Sequence, residues 1–415
     1  MTISRRALLG SALAAPFALS ACGQSAGSRP GVIRVITPDF AGTDRRLVLE
    51  DEILATFQGD ASTIVDYTGW DRLNEKLTTG IASGIIPDAI MIGVGWIPPF
   101  ASKGVFDELP DDLFSQFGIN DALRPVVEFE GKLHGLPYIT ECRMFMYNRR
   151  IFDERGITEV PQSLTELRDL CRELQDGELL PIDIFSNNPR QSWLHFMAAL
   201  GGTLFSEDGR ETAFTDGSGA EALQFMLDLV ADGSADFNRR VSPGQPRPWQ
   251  REEAIIDLTS TGEWPNLVEQ SPALITEEAS DFFLMPGADG NDPVLYLGGT
   301  MLALAKDSPN REVAEELLHH MFEPELLLAA GNANGKLPPV QDLPPDPDFE
   351  SNRMGVFSNA NYDYAGAFEG GSAAWMEIRE QVGPQIEGAL TGQQGVTETI
   401  DNLARISNTA LDRLT

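Results

Sequence analysis

The sequence predicts an α/β protein with a parallel sheet and crossover helices, arranged as two domains or one large bilobal body. Three observations carry this. The chain has 415 residues, 42% of them hydrophobic, enough for a sizeable core and more than one compact unit needs. Short β-rich runs alternate with helix-length amphipathic segments, the pattern of parallel strands joined by helices. Serine and proline signals punctuate the helix starts through the middle of the chain.

The first element is a leader. Ser4-Arg5-Arg6 precedes an apolar run from Ala7 to Ala21 that ends in Leu19-Ser20-Ala21-Cys22. A twin arginine ahead of a modest apolar stretch reads as an export signal, and small residues just before a cysteine read as a lipoprotein processing site. The run is roughly fifteen residues, short of the ~20 a membrane span needs, and Pro16 interrupts it. The expectation is a signal peptide over 1–21, a lipidated Cys22 and a small polar linker over 22–30. The mature body then lies on the extracytoplasmic side of the cell membrane, in the periplasm where an outer membrane exists.

Val32–Ile36 is the first strand, and residues 43–57 read as a helix with Leu47, Leu54 and Phe57 on one face. Ile64–Tyr67 is a second strand, Arg72–Ile81 a second helix and Ala89–Ile92 a third strand. Ser163 and Glu166, like Ser218 and Glu221, have capping-box spacing. Ser308-Pro309 opens another helix, with proline where a missing N–H costs nothing. Residues 337–349 hold five prolines and read as an extended crossing segment; 396–414 is helical.

Composition narrows the function. The formal charge is −33, from 63 acids against 30 bases. Nucleic acid is excluded as a partner, because binding it needs a basic surface, and an anionic membrane would repel this body, leaving the lipid as tether. Cys171 falls on the apolar stripe Leu167, Leu170, Leu174, so it and Cys142 are expected as buried free thiols, although an exported location permits a bridge. His134, His195, His319 and His320 have no metal-ligand spacing, and His319-His320 reads as a solvated helix edge. No Gly-x-x-x-x-Gly-Lys motif is present. No metal, cofactor or catalytic residue is expected, and a monomer is the default.

From about residue 30 to the end the chain resembles the extracellular solute-binding proteins of carbohydrate ABC importers, the family that includes maltose-binding protein. The resemblance rests on Ser83-Gly84-Ile85-Ile86-Pro87-Asp88 at the entry to the third strand and on Gly131–Tyr138 followed by Tyr147-Asn148 and Phe152. It also rests on Gly201–Phe205, Ala222–Phe225, Leu297-Gly298-Gly299 and Leu302–Asn310. It implies a bilobal periplasmic-binding-protein-like fold, two α/β lobes joined by a multi-crossing hinge, with 31–139 and 287–336 in the first lobe and 140–286 and 337–415 in the second. The chain would leave the first lobe near Tyr138–Arg143, return near Leu284–Gly290 and leave again near Lys336–Val340. A carbohydrate, mono- to oligosaccharide, would be captured between the lobes and delivered to the transmembrane subunits of an ABC permease.

Sugars present flat C–H faces edged by hydroxyls, so aromatic plates and charged or amide groups are sought. The resemblance points to Trp264 in Thr261-Gly262-Glu263-Trp264-Pro265, to Trp375 and to Glu141, with Arg143 supporting Glu141 or meeting ligand itself. Loops at the carboxyl ends of parallel strands are the usual ligand position, which adds Asp39, Trp70, Asp71 and Trp96; Asp71 could instead cap the following helix. Trp193 faces the cleft or braces the core, Gly299 admits ligand or bends a strand, and Trp249 reads as a surface loop. Two other functions stay open. One is the same transport role for glycerol phosphate, a polyol or a peptide, for which Arg143 and Arg247 are the only hints. The other is an extracellular glycan-acting enzyme, which would need paired carboxylates.

Overall fold

The computed structural model describes residues 29–175, 177–186, 188–242, 245–288, 290–340 and 343–414. The leader, Cys22 and the linker up to residue 28 lie outside the described residues.

Strands β1 (Val32–Thr37), β2 (Ser62–Tyr67) and β3 (Ala89–Gly93) form as expected, β1 pairing in parallel with both others. Helix α1 (Trp70–Ser83) crosses from β2 to β3, buries Leu73 and Leu77, and stops at Gly84 in the left-handed conformation. The predicted helix over 43–57 is broken: an α turn at Thr43–Leu47, a widened π turn at Val48–Ile53 and a tight 3-10 turn at Leu54–Thr56. The predicted apolar face forms in part: Leu54 is buried and Phe57 packs against the core. Leu47 is 49% exposed, while Leu49 and Ile53 turn inward with Leu54.

Next come β4 (Leu136–Asn148), α2 (Leu164–Glu173), β5 (Leu180–Asp183), α3 (Pro189–Ala199), α4 (Ser218–Ala231) and β6 (Ala254–Ser260). They are followed by α5 (Trp264–Gln270), β7 (Ser280–Phe283), β8 (Leu295–Leu304), α6 (Arg311–Met321) and α7 (Pro324–Asn334). The chain closes with β9 (Ala365–Phe368), α8 (Trp375–Leu390) and α9 (Val396–Leu411). Ser163 caps α2, accepting from Glu166 N–H at 3.2 Å. The second capping box does not form: Asp216 accepts from both the Ser218 N–H and its hydroxyl, at 2.9 and 2.7 Å, and Ser218 becomes the first helical residue.

The strands share one sheet, in the order β2-β1-β3-β8-β4-β6-β5, with β9 beside β8 and β7 beside β4. It is one sheet because β4, 13 residues, and β8, 10 residues, each belong to two halves; ordinary strands run to about 5–6. The early half of β4 pairs antiparallel with β8, and its late half runs between β6 and β7. The late half of β8 lies against β3, and its early half against β9. The return strand is thus β8. Leu284–Gly290, the segment expected near that return, leads into it with turn contacts: Gly287 accepts from the Leu164 N–H and Ala288 donates to Ala199. Leu337 exchanges two backbone hydrogen bonds with Thr140, at 2.7 and 2.8 Å, laying a third segment along the crossing.

Gly299 sits where β8 bends, with φ +117°, and a Cβ there would meet the Ile139 carbonyl and Thr140 Cα. Only glycine allows the two crossing strands to approach so closely. Cys142 and Cys171 are free and buried, and burial pushes each thiol up to about 12. Among the described residues no helix is long and apolar enough to cross a membrane.

Candidate ligand-binding site

The carboxyl ends of β1, β2, β3 and β6 converge on the crossing, and the residues that follow them supply most of the site. After β1, Asp39 is buried; its Oδ1 accepts from Lys336 Nζ at 2.8 Å and its Oδ2 from the Thr300 hydroxyl. Lys336 Nζ also reaches Thr300 Oγ1 at 3.3 Å. After β2, Trp70 opens α1 and remains 39% exposed, its ring edge-on to Trp96 at 6.2 Å and 5.7 Å from Lys336 Nζ. After β3, Trp96 is buried, with the Arg379 guanidinium 5.6 Å above its ring, inside cation–π range.

From the crossing strand, Glu141 Oε1 accepts from Arg143 Nη2 at 3.0 Å. Burial pushes the Glu141 carboxyl up, but Arg143, Lys336 and the Ser260 hydroxyl together hold it below the usual carboxylate range. After β6 the chain turns through Thr261, whose Oγ1 accepts from the Cys142 N–H at 3.2 Å, into Trp264, which is 8% exposed. Pro265, the next residue, packs against Gly335 beside Lys336.

A second ionic group adjoins the first. Glu369, just past β9, accepts from Arg379 Nε at 2.7 Å and pairs with Arg190 Nη2 at 3.2 Å. Burial raises its carboxyl, and Arg190, Arg379 and Arg143 outweigh that and lower it. Tyr296, opposite Arg143 in the ladder, packs on His195 at 4.2 Å. Burial first, then Arg143, pushes His195 well below its ordinary value, so the imidazole is neutral.

A cavity of about 930 Å³ borders this group. Pro98, Phe129, Leu194, Phe205 and Phe368 supply apolar wall, and Tyr296 and Gly370 form the side toward Glu369. None of the sequence-nominated residues lines it. The charged cluster and the cavity are therefore neighbours that share the Tyr296 wall. Across this region Gly95, after β3, touches Gly370: a Cβ on Gly95 (φ +82°) would overlap the Glu369 carbonyl, and one on Gly370 (φ +112°) would overlap Gly95 Cα.

The structure brings Asp39, Trp70, Trp96, Glu141, Arg143 and Gly299 together around the crossing, with Trp264 at its edge. It does not bring in three others. Trp193 is a core residue, fully buried on Phe214 with its indole N–H donating to the Gly219 carbonyl at 2.8 Å, on a helix that is buried nearly all round. Trp375 is also fully buried, edge-on to Phe205 at 6.1 Å, although its Nε1 has no partner. Asp71 is exposed and neither caps α1 nor meets the cluster; it lines a shallow groove on the outer side of α1 with Asp66 and Lys76. Trp249, expected in a surface loop, is buried at 3% exposure.

Sequence reasoning missed Thr300, Lys336, Arg190, His195, Tyr296, Glu369 and Arg379. Glu369-Gly370-Gly371 carried a signal, an acid held beside two glycines. Arg379 lies one helical turn beyond Trp375. Arg190 carried none. Among the described residues no group of three His, Cys, Asp or Glu could hold a metal ion.

Residues 49–326 match the family model for bacterial extracellular solute-binding proteins. Two curated relatives are the diacetylchitobiose binding protein DasA of Streptomyces coelicolor and the maltotriose-binding protein of Pyrococcus abyssi. The first is 26% identical over 284 residues, 66% of this chain and 65% of that protein. The second is 21% identical over 299 residues, 67% of this chain and 60% of that protein. The matched stretches thus span less than two thirds of those relatives' own lengths. Among solved structures, the sugar-binding protein MalE of Xanthomonas citri superposes with TM-score 0.77 at 17% identity, over 92% of this chain and 98% of that one. The GacH receptor of Streptomyces glaucescens gives 0.76 at 17%, over 92% and 98%.

Proposed function

We propose, for a chain that belongs to the family of bacterial extracellular solute-binding proteins, that it captures a carbohydrate between two lobes and hands it to an ABC permease. The observation that carries this is the meeting of an aromatic pair, Trp70 and Trp96, with the buried charged groups Asp39, Lys336, Glu141 and Arg143 where three segments cross. Aromatic faces match the C–H face of a sugar ring, and charged partners bond its hydroxyls at roughly 1.5–3 kcal/mol each once water is excluded. Relatives named for diacetylchitobiose and maltotriose support the same ligand class.

The mechanism is closure. The first lobe, 31–139 and 287–336, contributes Asp39, Trp70 and Trp96. The second, 140–286 and 337–415, contributes Glu141, Arg143 and Trp264, and its Glu369 and Arg379 reach across. A ligand that touches both lobes favours the closed state by its differential contacts, and the Gly95–Gly370 approach is a contact of that state. The chain performs no chemistry. It travels as a lipoprotein with mature residue Cys22 anchoring a monomer to the membrane.

The experiment is a thermal-unfolding screen of residues 30–415 against mono-, di- and oligosaccharides. A binder at a hundredfold over its Kd stabilises by about 2.7 kcal/mol, several degrees. The expected result is a shift with one sugar class that Trp70→Ala and Trp264→Ala diminish. A shift only with polyols or peptides would overturn the carbohydrate reading, and turnover of a glycan would overturn the binding role.

A further inference from the structure

Resting on the carbohydrate reading and sharpening it, we propose that the ligand carries an anionic group, a carboxylate or a phosphate on the sugar, which passes the Tyr296 wall of the cavity and is held by Tyr296 and by Arg143, Arg190 and Arg379 behind it.

The first ground is a charge imbalance. Among the described residues Arg143, Arg190 and Arg379 share two enclosed carboxylates, the part-buried Glu141 and the buried Glu369, and Glu369 alone serves two of the arginines. Glu380 also meets Arg379, at 2.9 Å, but its side chain is 59% exposed and solvent screens it. This cationic surplus stands in a chain of net charge −33, whose general surface attracts cations. A buried uncompensated positive charge is expensive unless an anion completes it.

The second ground is the set of idle donors. Arg143 Nε, Arg190 Nε and the Tyr296 hydroxyl are buried without a hydrogen-bond partner, as is the single N–H of the neutral His195 ring, whose other nitrogen can only accept. Both guanidinium N–H groups can only donate. A neutral sugar hydroxyl that accepts one of them must place its own proton elsewhere, in a setting already rich in donors. An anionic oxygen accepts several at once and offers no proton. Burial itself draws the Arg190 guanidinium below its ordinary range, with Glu369 opposing and Arg379 adding to the fall, the condition an added anion relieves.

The third ground is access. Tyr296 is both a member of this group and a wall of the 930 Å³ cavity, and Leu194 and Ala198, on the same helix as Arg190, line it too. A sugar ring in the cavity places a terminal acidic group against Tyr296. Elsewhere in the molecule the buried cations are matched: Lys336 by Asp39, and Arg247 by Asp257 with Asp183 and Glu263 nearby.

The test uses isothermal titration of residues 30–415 with matched pairs: glucuronate against glucose, galacturonate and its di- and trimer against the galactose equivalents, and glucose 1-phosphate and 6-phosphate against glucose. The expected result is binding of an acidic member at least about tenfold tighter than its neutral partner. The uronate and phosphate arms tell which acid is used. Arg190→Gln should erase the preference, and Arg190→Lys should restore part of it. Because Arg190 is buried, Arg379→Gln, at a more accessible position, serves as the second variant, with thermal unfolding of each ligand-free variant reporting whether it folds. Equal binding of acidic and neutral partners, or binding of neutral sugars alone, overturns the proposal and leaves the carbohydrate reading standing. Failure of every sugar, acidic or neutral, overturns both.

Discussion

Two enclosed ionic groups, one around Arg247 and one around Arg143, Arg190 and Arg379, differ in what surrounds them. Arg247 donates to Asp257 Oδ2 at 2.7 Å and to the Leu258 carbonyl at 3.1 Å, and Asp183, opposite Asp257 on the neighbouring parallel strand, adds a second carboxylate. There acids outnumber bases. Burial pushes the Asp257 carboxyl up to about 7, Asp183 adding to it and Arg247 opposing, while Arg247 is held charged by its acidic neighbours. Around Arg143, Arg190 and Arg379 the ratio is reversed, and that group borders a cavity. Arg247, a sequence-level hint of an anionic ligand, is therefore committed to structure, whereas Arg143 is joined by two arginines that no sequence argument nominated. A buried arginine says little about ligand until its partners are counted.

The sharpest way to break this contrast is Arg247→Ala, which strands Asp257 without its cation. Stability should fall by about 3–5 kcal/mol, read as the loss of free energy in urea unfolding, while Arg379→Ala, at a partly exposed pair, should cost under about 1 kcal/mol. Equal losses would erase the distinction.

Next in size is pH dependence. Asp257 has a native pKa raised from 3.8 to about 7, so the native state holds more protons than the unfolded chain between those values. Its contribution is full below about pH 4 and is lost as pH rises toward 7, by at most about 4 kcal/mol. Asp257→Asn should flatten the unfolding free energy across that window; an unchanged slope would show that the carboxyl ionises normally.

Smaller still is Gly95→Ala. The added methyl has no room beside the Glu369 carbonyl in the closed arrangement, so ligand affinity should drop about tenfold, roughly 1.4 kcal/mol, in a calorimetric titration. Unchanged affinity would mean that ligand does not require the Gly95–Gly370 contact. Trp70→Ala should have the least effect, about 0.5–1.5 kcal/mol of sugar affinity with stability nearly unchanged, because that ring is 39% exposed. A large stability loss there would make Trp70 a packing residue.

Legibility in the sequence tracked how local each signal was. Strands β1 to β3, helix α1 and the Ser163 cap rest on neighbours within a few residues, and all formed. The helix over 43–57 kept its helical turns but not one regular α-helix, because tertiary packing selected a widened turn around Leu49 and Ile53 that its 3.6 repeat does not signal. Trp193 and Trp375 were undecided because a buried indole and a ligand-stacking indole have the same local sequence; only the layers packed above them place both in the core.

The alternation of strands and helices and the positions of Asp39, Trp70 and Trp96 at strand ends followed from the sequence alone, since each depends on short-range periodicity or on the rule that loops follow strands. The crossing of β4 and β8, the sharing of Glu369 by Arg190 and Arg379, and the closeness of Gly95 to Gly370 were decided by the tertiary structure. They join residues far apart in the chain, where no periodicity links one partner to the other and only the packed sheet brings their side chains within reach.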